Sequence, residues 1–161
     1  MLISFDEIHC VLTKCGINIT GAFHIGAHEC EEFDFYDRLG LTANDIVWID
    51  ALPWKVMEAQ TKGIPNVYNA VITDIDYEDI TFNIANNGQS SSVLQFCTHA
   101  FEHPSVVFID TIETKSITID TFFEQNQIDS SKLNFWNMDI QGAELLTLKG
   151  ETKNIPNATV I

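Results

Sequence analysis

The sequence predicts an α/β fold of the Rossmann-like, three-layer type, with a mostly parallel sheet between two layers of helices. Segments typical of strands and helices alternate three times in about the first seventy residues, the order expected of a parallel sheet wrapped by helices. The run "DIVWIDALP" is almost continuously apolar, as in a strand buried on both faces. Since the chain has 161 residues, we expect a single domain over residues 1–161.

The first part of the chain contains start and stop signals for two helices. Ser4 and Glu7 form a capping box at the start of a helix within residues 1–18, and Gly16 ends it. The segment "NITGAFHI" predicts the first strand, and a helix through "EEFDFYDRLG" follows the turn at Gly26. The expected buried stripe of the first helix consists of Phe5, Ile8, Val11, Leu12 and Cys15.

A helix that begins at Pro53 and ends at Gly63, and a third strand "IPNVYNAVI", complete the alternating part. Residues 78–119 predict an antiparallel or mixed addition to the sheet, with a hairpin turn at Asn87-Gly88 and a second strand pair, "SVVFID" and "KSITID". The segment "KLNFWNMDIQGAELLTLKG" then predicts a strand, a sharp turn and a helix. Because "IPNATVI" is typical of a strand that is just beginning, we expect a fold shortened at its C-terminal end.

The net charge indicates which classes of partner are unfavourable, and the cysteine content indicates the redox state of the thiols. The 23 acidic residues outnumber the 8 lysines and arginines, for a formal net charge of −15, so nucleic acid and anionic membranes are unfavourable partners. The four cysteines form no CxxC pair, and neither a signal peptide nor a membrane-spanning run is visible. We therefore expect reduced thiols, Cys97 among them, and a cytoplasmic protein.

Four candidate positions fall at the carboxyl ends of predicted strands, where parallel sheets bind ligands. They are Gly26, Asp50, the pair Asn69-Ala70, and Asp139. Asp50 lies 24 residues after Gly26, close to the spacing of a carboxylate that accepts hydrogen bonds from both ribose hydroxyls. The alternative for Asp50 is a capping role before the helix at Pro53.

The turn after the first strand differs from a dinucleotide-binding turn. A GxGxxG turn places pyrophosphate on the free amides of a helix start, whereas here only Gly26 remains. The expected helix start is acidic, which favours an adenosine ligand with a cationic sulfonium, S-adenosylmethionine, over a diphosphate. The alternative is an acid-stabilised helix start that binds no ligand. The acidic residues are Glu29, Glu31, Glu32 and Asp34.

Five segments resemble, in order, the FkbM-type family of S-adenosylmethionine-dependent methyltransferases. The resemblance covers about residues 20–150, and its last segment is the most specific. It implies methylation of an oxygen of a small molecule or sugar, S-adenosylmethionine as cofactor and a small-molecule methyl acceptor as partner. The segments are "FHIGAHECEEFDFY", "VWIDALP", "VYNAVITD", "SITIDTFF" and "LNFWNMDIQGAELLTLKG".

The resemblance also implies roles for individual residues. Gly26, Ala27 and His28 would contact the methionine part of the cofactor, and Asp50 would bind its ribose. Asn69 and Ala70 would lie against the adenine ring. Asp139 would bind the cofactor and act as a catalytic residue facing the reacting methyl group.

Two positions depart from the family pattern. His24 stands near the end of the first strand, where an acid is usual, and Gln141 replaces the acid of a D-x-E-G pattern. Because Gln141 cannot act as a base, a catalytically inactive binding or scaffolding domain is the main alternative to an active methyltransferase. A nicotinamide-dependent oxidoreductase is a third hypothesis, which the acidic turn disfavours.

The remaining polar and aromatic residues near the predicted turns carry further hypotheses. His28 is either a catalytic general base beside the glycine turn or a surface residue. The pairs His24 with His28 and His99 with His103 offer too few ligands for zinc, so we expect no metal site. The run Ser90–Ser92 either binds a ligand or follows a turn into a strand. The residues expected in the core are Trp48, Trp54 and Trp136.

Overall fold

The computed structural model describes residues 3–96 and 99–161. Over these residues the chain forms six α-helices and seven β-strands. The helices are α1 Phe5–Cys15, α2 Phe33–Arg38, α3 Pro53–Thr61, α4 His99–Glu102, α5 Ile119–Asn126 and α6 Glu144–Lys149. The strands are β1 Ala22–Ile25, β2 Ile46–Asp50, β3 Val67–Asn69, β4 Val71–Ile72, β5 Asp79–Ala85, β6 Phe108–Ile117 and β7 Phe135–Met138.

Four strands form a parallel sheet in the order β3-β2-β1-β7. Ala22 of β1 pairs with Ile46 of β2 on one side and with Phe135 of β7 on the other. The chain therefore runs outward from β1 to β3 and later places β7 on the opposite side of β1. This reversal creates a switch point between the carboxyl ends of β1 and β7, where ligands bind in sheets of this kind.

Alternate residues of the central strands face two different layers of helices. Ala22 lies in a core cluster with side chains of α1, α2 and α3, whereas Phe23 packs with Phe122 and Phe123 of α5. All residues of β1 and β2 are buried because helices cover both faces. The predicted Rossmann-like, three-layer fold is confirmed.

The third predicted strand is divided between two sheets. Residues 67–69 form β3 beside β2, and after Ala70 residues 71–72 form β4, which pairs in parallel with β6. The prediction of one continuous strand is therefore wrong. The change of sheet occurs at Ala70, which lies beside the end of β2: its N–H donates a hydrogen bond of 3.2 Å to the Asp50 carbonyl oxygen.

The second sheet has the order β4-β6-β5, and its β5–β6 pair is antiparallel, as predicted for residues 78–119. The second predicted strand pair is wrong, since "SVVFID" and "KSITID" both contribute to the ten-residue strand β6. A single antiparallel bridge, between Asn83 and Ser92, joins the residues on either side of the turn at Asn87-Gly88. It does not close a regular hairpin, because β5 pairs with β6 from beyond the intervening loop.

The helix α1 has the predicted caps but a narrower buried face. The Ser4 side chain accepts a hydrogen bond from the Glu7 N–H, and Gly16 is left-handed. Leu12 is buried, whereas Val11 and Cys15 are exposed, so the predicted stripe is wrong at these two positions. Ile8 packs against the core as a half-buried residue. The helix thus covers the core with one narrow face only.

Several smaller expectations can be compared with the structure. Trp48 and Trp136 are buried as predicted, but Trp54 on α3 is 40% exposed. The predicted final strand is reduced to a parallel bridge between Val160 and Phe135. Cys97 lies outside the described residues. In the part of the chain that is described, no helix has the length and apolar character needed to cross a bilayer.

Candidate functional site

The turn after β1 lies against the end of β2. The N–H groups of Gly26 and Ala27 both donate hydrogen bonds of 2.9 Å to the carbonyl oxygen of Ile49. Gly26 has a φ of 94°, and the backbones of His28 (φ 44°) and Cys30 (φ 59°) are also left-handed. Because such a backbone cannot belong to a right-handed helix, α2 does not begin at this turn.

The four acidic residues of this segment are divided between the turn and the helix. Helix α2 begins at Phe33, so Glu32 and Asp34 lie at its start, as predicted, whereas Glu29 and Glu31 belong to the preceding turn. The expectation that all four surround the helix start is therefore wrong. The left-handed turn residues separate Glu29 and Glu31 from the helix amides.

Glu29 and Glu31 instead have partners beside the turn. Lys55 Nζ of α3 donates a hydrogen bond of 2.7 Å to Glu29 Oε1, and this bond lowers the pKa of the Glu29 carboxyl. Glu31 Oε1 lies 2.7 Å from His28 Nδ1. Burial raises the pKa of Glu31, but hydrogen bonds from His28 and from the Glu31 and Glu29 amides outweigh burial, and the net pKa is lowered. Both carboxylates are therefore ionised near neutral pH.

A second tight turn follows β7 on the other side of the switch point. The Asp139 N–H donates a hydrogen bond of 2.9 Å to the Ile25 carbonyl oxygen, which keeps the ends of β1 and β7 together. Gln141 (φ 58°) and Gly142 (φ 99°) are left-handed. Gln141 Nε2 donates a hydrogen bond of 2.9 Å to Asp139 Oδ1. Gln141, which stands in place of the acid of the D-x-E-G pattern, thus orients the Asp139 carboxylate.

Asp50 joins the glycine turn to the turn after β2. Its side chain accepts hydrogen bonds of 2.7 Å from the His28 N–H and 2.8 Å from the Leu52 N–H, one on each oxygen. Burial raises the pKa of Asp50, and these two bonds oppose the rise. The N-cap of α3 is Leu52, with no side-chain cap. Asp50 therefore does not cap α3, as the alternative interpretation predicted. Its carboxylate instead links the turn after β1 to the turn after β2.

Two cavities meet at the carboxyl ends of β1, β2 and β7. The inner cavity has a volume of about 60 Å³ and walls that are mostly apolar, and the outer cavity has a volume of about 480 Å³. Gly26, His28, Gln89 and Asp139 line both. The other residues that line the outer cavity are polar: Glu31, Glu32, Ser90, His103 and Gln141.

The structure brings most of the predicted site residues together. Ala27 does not line either cavity, since its side chain is buried in the core. Asn69 lines a neighbouring cavity of about 200 Å³, and its amide nitrogen donates hydrogen bonds to the carbonyl oxygens of Asp50 and Ala51. The predicted residues that line the inner cavity are Gly26, His28, Asp50, Ala70 and Asp139.

The serines after the Asn87-Gly88 turn shape the loop beside the cavities. Ser91 Oγ donates a hydrogen bond of 2.6 Å to the Gly88 carbonyl oxygen and accepts one from the Ala85 N–H. Ser92 Oγ donates to the carbonyl oxygen of Ile140, at 3.3 Å. The Ser91 hydroxyl thus holds the loop closed, and the Ser92 hydroxyl links it to the turn after β7. Ser90 and Ser91 also line the outer and inner cavities, respectively.

Sequence reasoning missed the apolar residues that line the inner cavity. Leu52 could have been found because it follows Asp50 by two residues. The others come from the ends of β1 and β2, from the second sheet and from the segments after β5 and β7, and no local signal marks them as cavity residues. They include Ile25, Ile49, Val71, Ile72, Phe82 and Val93.

The two histidines near the first turn have different environments, and a shared metal site is not formed. His24 lies in the core 4.9 Å from the Trp48 ring, whereas His28 lines both cavities. Within residues 3–96 and 99–161, no group of three or more His, Cys, Asp or Glu side chains is arranged to hold a metal ion. The side chain of His99 lies outside the described part.

His24 is a buried, uncharged histidine. Its Nδ1 lies 2.9 Å from Tyr36 Oη, and burial lowers its pKa to about 3. The unfolded chain has the ordinary pKa of about 6.5. Between these values the unfolded state binds a proton that the folded state does not, so the free energy of unfolding decreases as the pH falls through this window.

Acidification from about pH 7 to about pH 5 is expected to lower the free energy of unfolding by about 2 kcal/mol through His24. Urea unfolding at the two pH values measures this for the natural chain and for His24→Leu, which should lack this part of the loss. The exposed, non-titrating Met57 provides the control Met57→Gln, which leaves His24 in place and should keep the natural dependence. Equal losses in His24→Leu and the natural chain would show that His24 does not titrate in this way.

The comparisons with known proteins agree with the geometry of the site. A family model described as "Methyltransferase FkbM domain" matches residues 24–161, which include both turns and every residue that lines the two cavities. Neither the search of curated proteins nor the search of solved structures produced a match.

Proposed function

The chain belongs to the FkbM methyltransferase domain family, and on this premise we propose that it transfers a methyl group from S-adenosylmethionine to an oxygen of a small molecule or sugar. The observation that carries the proposal is Asp50, a buried carboxylate that lines the inner cavity at the carboxyl end of β2. Each of its oxygens accepts one backbone hydrogen bond and retains a lone pair. Asp50 can therefore accept hydrogen bonds from both ribose hydroxyls.

The walls of the inner cavity support a nucleoside as the ligand. Ala70 lies beside Asp50 and would contact the adenine ring, while Asn69 would act indirectly by holding the backbone of Asp50 and Ala51. We propose that Gly26 and His28 contact the methionine part of the donor, and that Ala27 fixes their turn through its backbone. The bound donor would supply an electrophilic methyl group on a sulfonium, which Asp139 would face.

Charge favours this donor over a dinucleotide. Glu31, Glu32 and Asp139 line the outer cavity, and no lysine or arginine is among the described residues that line either cavity. These carboxylates would repel a pyrophosphate and attract a sulfonium. The same charges support an acceptor that is not anionic.

The proposal extends to partners and location. The net charge of −15 supports a small-molecule acceptor, with neither nucleic acid nor a membrane surface as a partner. The free thiols of Cys10, Cys15 and Cys30 support a cytoplasmic location.

Calorimetric titration with S-adenosylmethionine, S-adenosylhomocysteine and NAD⁺ tests the donor site. We expect heat of binding from the first two ligands and none from NAD⁺. Transfer of a tritiated methyl group from the donor to a panel of neutral sugars and polyols tests the reaction. If none of the three ligands binds, the scaffolding alternative is favoured and the proposed enzyme is not. If only NAD⁺ binds, the oxidoreductase alternative is favoured.

A further inference from the structure

The side chains of His28 and Glu31 form a fixed pair at the edge of the outer cavity. His28 Nδ1 lies 2.7 Å from Glu31 Oε1, and the other carboxylate oxygen accepts a hydrogen bond of 3.0 Å from the Glu29 N–H. The His28 side chain is only 20% exposed. Because both carboxylate oxygens have partners, Glu31 holds the imidazole ring in one orientation.

The backbone of His28 is also held in an unfavourable conformation. Its φ of 44° is left-handed, which costs a side-chain-bearing residue on the order of 1 kcal/mol. The hydrogen bond from its N–H to the buried Asp50 carboxylate maintains this conformation. Strained residues of this kind concentrate at functional sites, where the surrounding structure keeps them in place.

The contact with Glu31 determines which ring nitrogen carries the proton. Glu31 is ionised, so a neutral His28 donates from Nδ1 to its carboxylate, and the lone pair is then on Nε2. Nε2 faces Gly88, where a Cβ would lie 3.5 Å away in ordinary van der Waals contact, and the His28 side chain lines both cavities. No described group forms a hydrogen bond with Nε2.

We propose that His28 Nε2 is the general base of the methyl transfer and that Glu31 is its positioning residue. This inference rests on the proposed function and deepens it. A general base held in position beside the cavity implies an acceptor whose hydroxyl must lose a proton. The acceptor oxygen forms a bond to the methyl carbon while the carbon–sulfur bond breaks and its electron pair remains on sulfur. The hydroxyl proton moves to Nε2, giving an imidazolium that the Glu31 carboxylate stabilises.

The contacts of Asp139 and the charge of the cavity complete the assignment. Asp139 Oδ1 accepts a hydrogen bond from Gln141, and no described carboxylate or imidazole is hydrogen-bonded to Asp139 to relay a proton. We therefore assign Asp139 to the side of the cavity that faces the donor, and proton transfer to His28. With three carboxylates and neither lysine nor arginine in its described lining, the outer cavity fits an uncharged or cationic hydroxyl compound.

Nuclear magnetic resonance of protein labelled with ¹⁵N-histidine tests the pair without donor or acceptor. At about pH 9, where imidazoles are neutral, long-range ¹H–¹⁵N spectra should show His28 protonated on Nδ1. His28→Asn assigns the signal, and asparagine tolerates a left-handed backbone. Glu31→Ala should lose this tautomer, whereas Glu31→Gln should keep it because its amide oxygen still accepts a hydrogen bond.

The opposite tautomer in the natural chain, or an unchanged spectrum in Glu31→Ala, would overturn the role of Glu31. With any acceptor that the sugar and polyol panel identifies, His28→Asn should lower kcat by about 10²- to 10⁴-fold, the usual contribution of a general base. An unchanged kcat would remove His28 from the reaction. Since the spectra need no donor, failure of this inference is distinguishable from failure of the donor site, which calorimetry measures.

Discussion

Replacement of Gly26 by alanine is expected to lower the free energy of unfolding by about 2 to 5 kcal/mol and to abolish binding of the methyl donor. A Cβ at this position would overlap the carbonyl oxygen of Asp139 and would lie 2.9 Å from its carbonyl carbon. Neither strand end can yield, because the Gly26 N–H is bonded to Ile49 and the Asp139 N–H to Ile25. The two turns would separate, and the inner cavity lies between them.

A matched glycine separates this overlap from backbone strain. Gly40 has a φ of 87°, close to the 94° of Gly26, but a Cβ there would meet no atom within 4 Å. Gly40→Ala should therefore cost only the left-handed strain of about 1–2 kcal/mol and leave donor affinity unchanged. Urea unfolding and calorimetry with S-adenosylhomocysteine measure both quantities. If Gly26→Ala costs no more than Gly40→Ala, the close approach of the two turns is not what requires glycine at position 26.

The parallel sheet was predictable because its signals are local. Each residue of β2 is buried, and the nearly unbroken apolar run of this strand directly reflects that burial. The starts of α3 and α1 are likewise signalled by residues at the helix ends themselves, Pro53 for α3 and the capping box at Ser4 for α1. The second sheet was predicted less well because its pairings are distant in sequence. Asp79 pairs with Lys115, and no property of "KSITID" specifies that partner.

The candidate site was predictable in outline for a related reason. The carboxyl ends of parallel strands lie at one edge of a sheet, so Gly26, Asp50 and Asp139 could be expected together before their contacts were known. Ser90–Ser92 in the loop between β5 and β6 were named as possible ligand-binding residues, but the apolar wall of the inner cavity could not be expected. Phe82 lines that wall only because β5 pairs with β6, which pairs in turn with β4 beside the end of β2.

The structure places part of the predicted acidic charge of the first turn beside the outer cavity, but its arrangement differs from the prediction, and the preference for a sulfonium ligand stays a prediction. The carboxylates of Glu31 and Glu32 do line the outer cavity. Glu29 and Glu31, however, do not interact with helix amides, because the left-handed residues His28 and Cys30 delay the start of α2. The sequence contains both residues of the His28–Glu31 pair, but its geometry depends on a turn conformation that no sequence pattern specifies.

Asp50→Ala is expected to reduce both stability and donor affinity. Loss of the carboxylate leaves the buried N–H groups of His28 and Leu52 without their acceptor, at about 1–3 kcal/mol each. Loss of the ribose contacts should weaken binding of S-adenosylhomocysteine by a further 1 to 3 kcal/mol, an order-of-magnitude estimate for charged hydrogen bonds. Urea unfolding measures the first effect, and calorimetry on the folded variant measures the second.

Asp76 provides a control with a similar structural role away from both cavities. Its carboxylate accepts hydrogen bonds of 2.7 Å from the Thr118 N–H and from the Thr121 hydroxyl. Asp76→Ala should therefore lower the free energy of unfolding without changing donor affinity. If Asp50→Ala loses stability but binds S-adenosylhomocysteine as tightly as Asp76→Ala does, Asp50 only joins the two turns. The ribose site would then have to be sought elsewhere around the inner cavity, and the observation on which the proposed function depends would be removed.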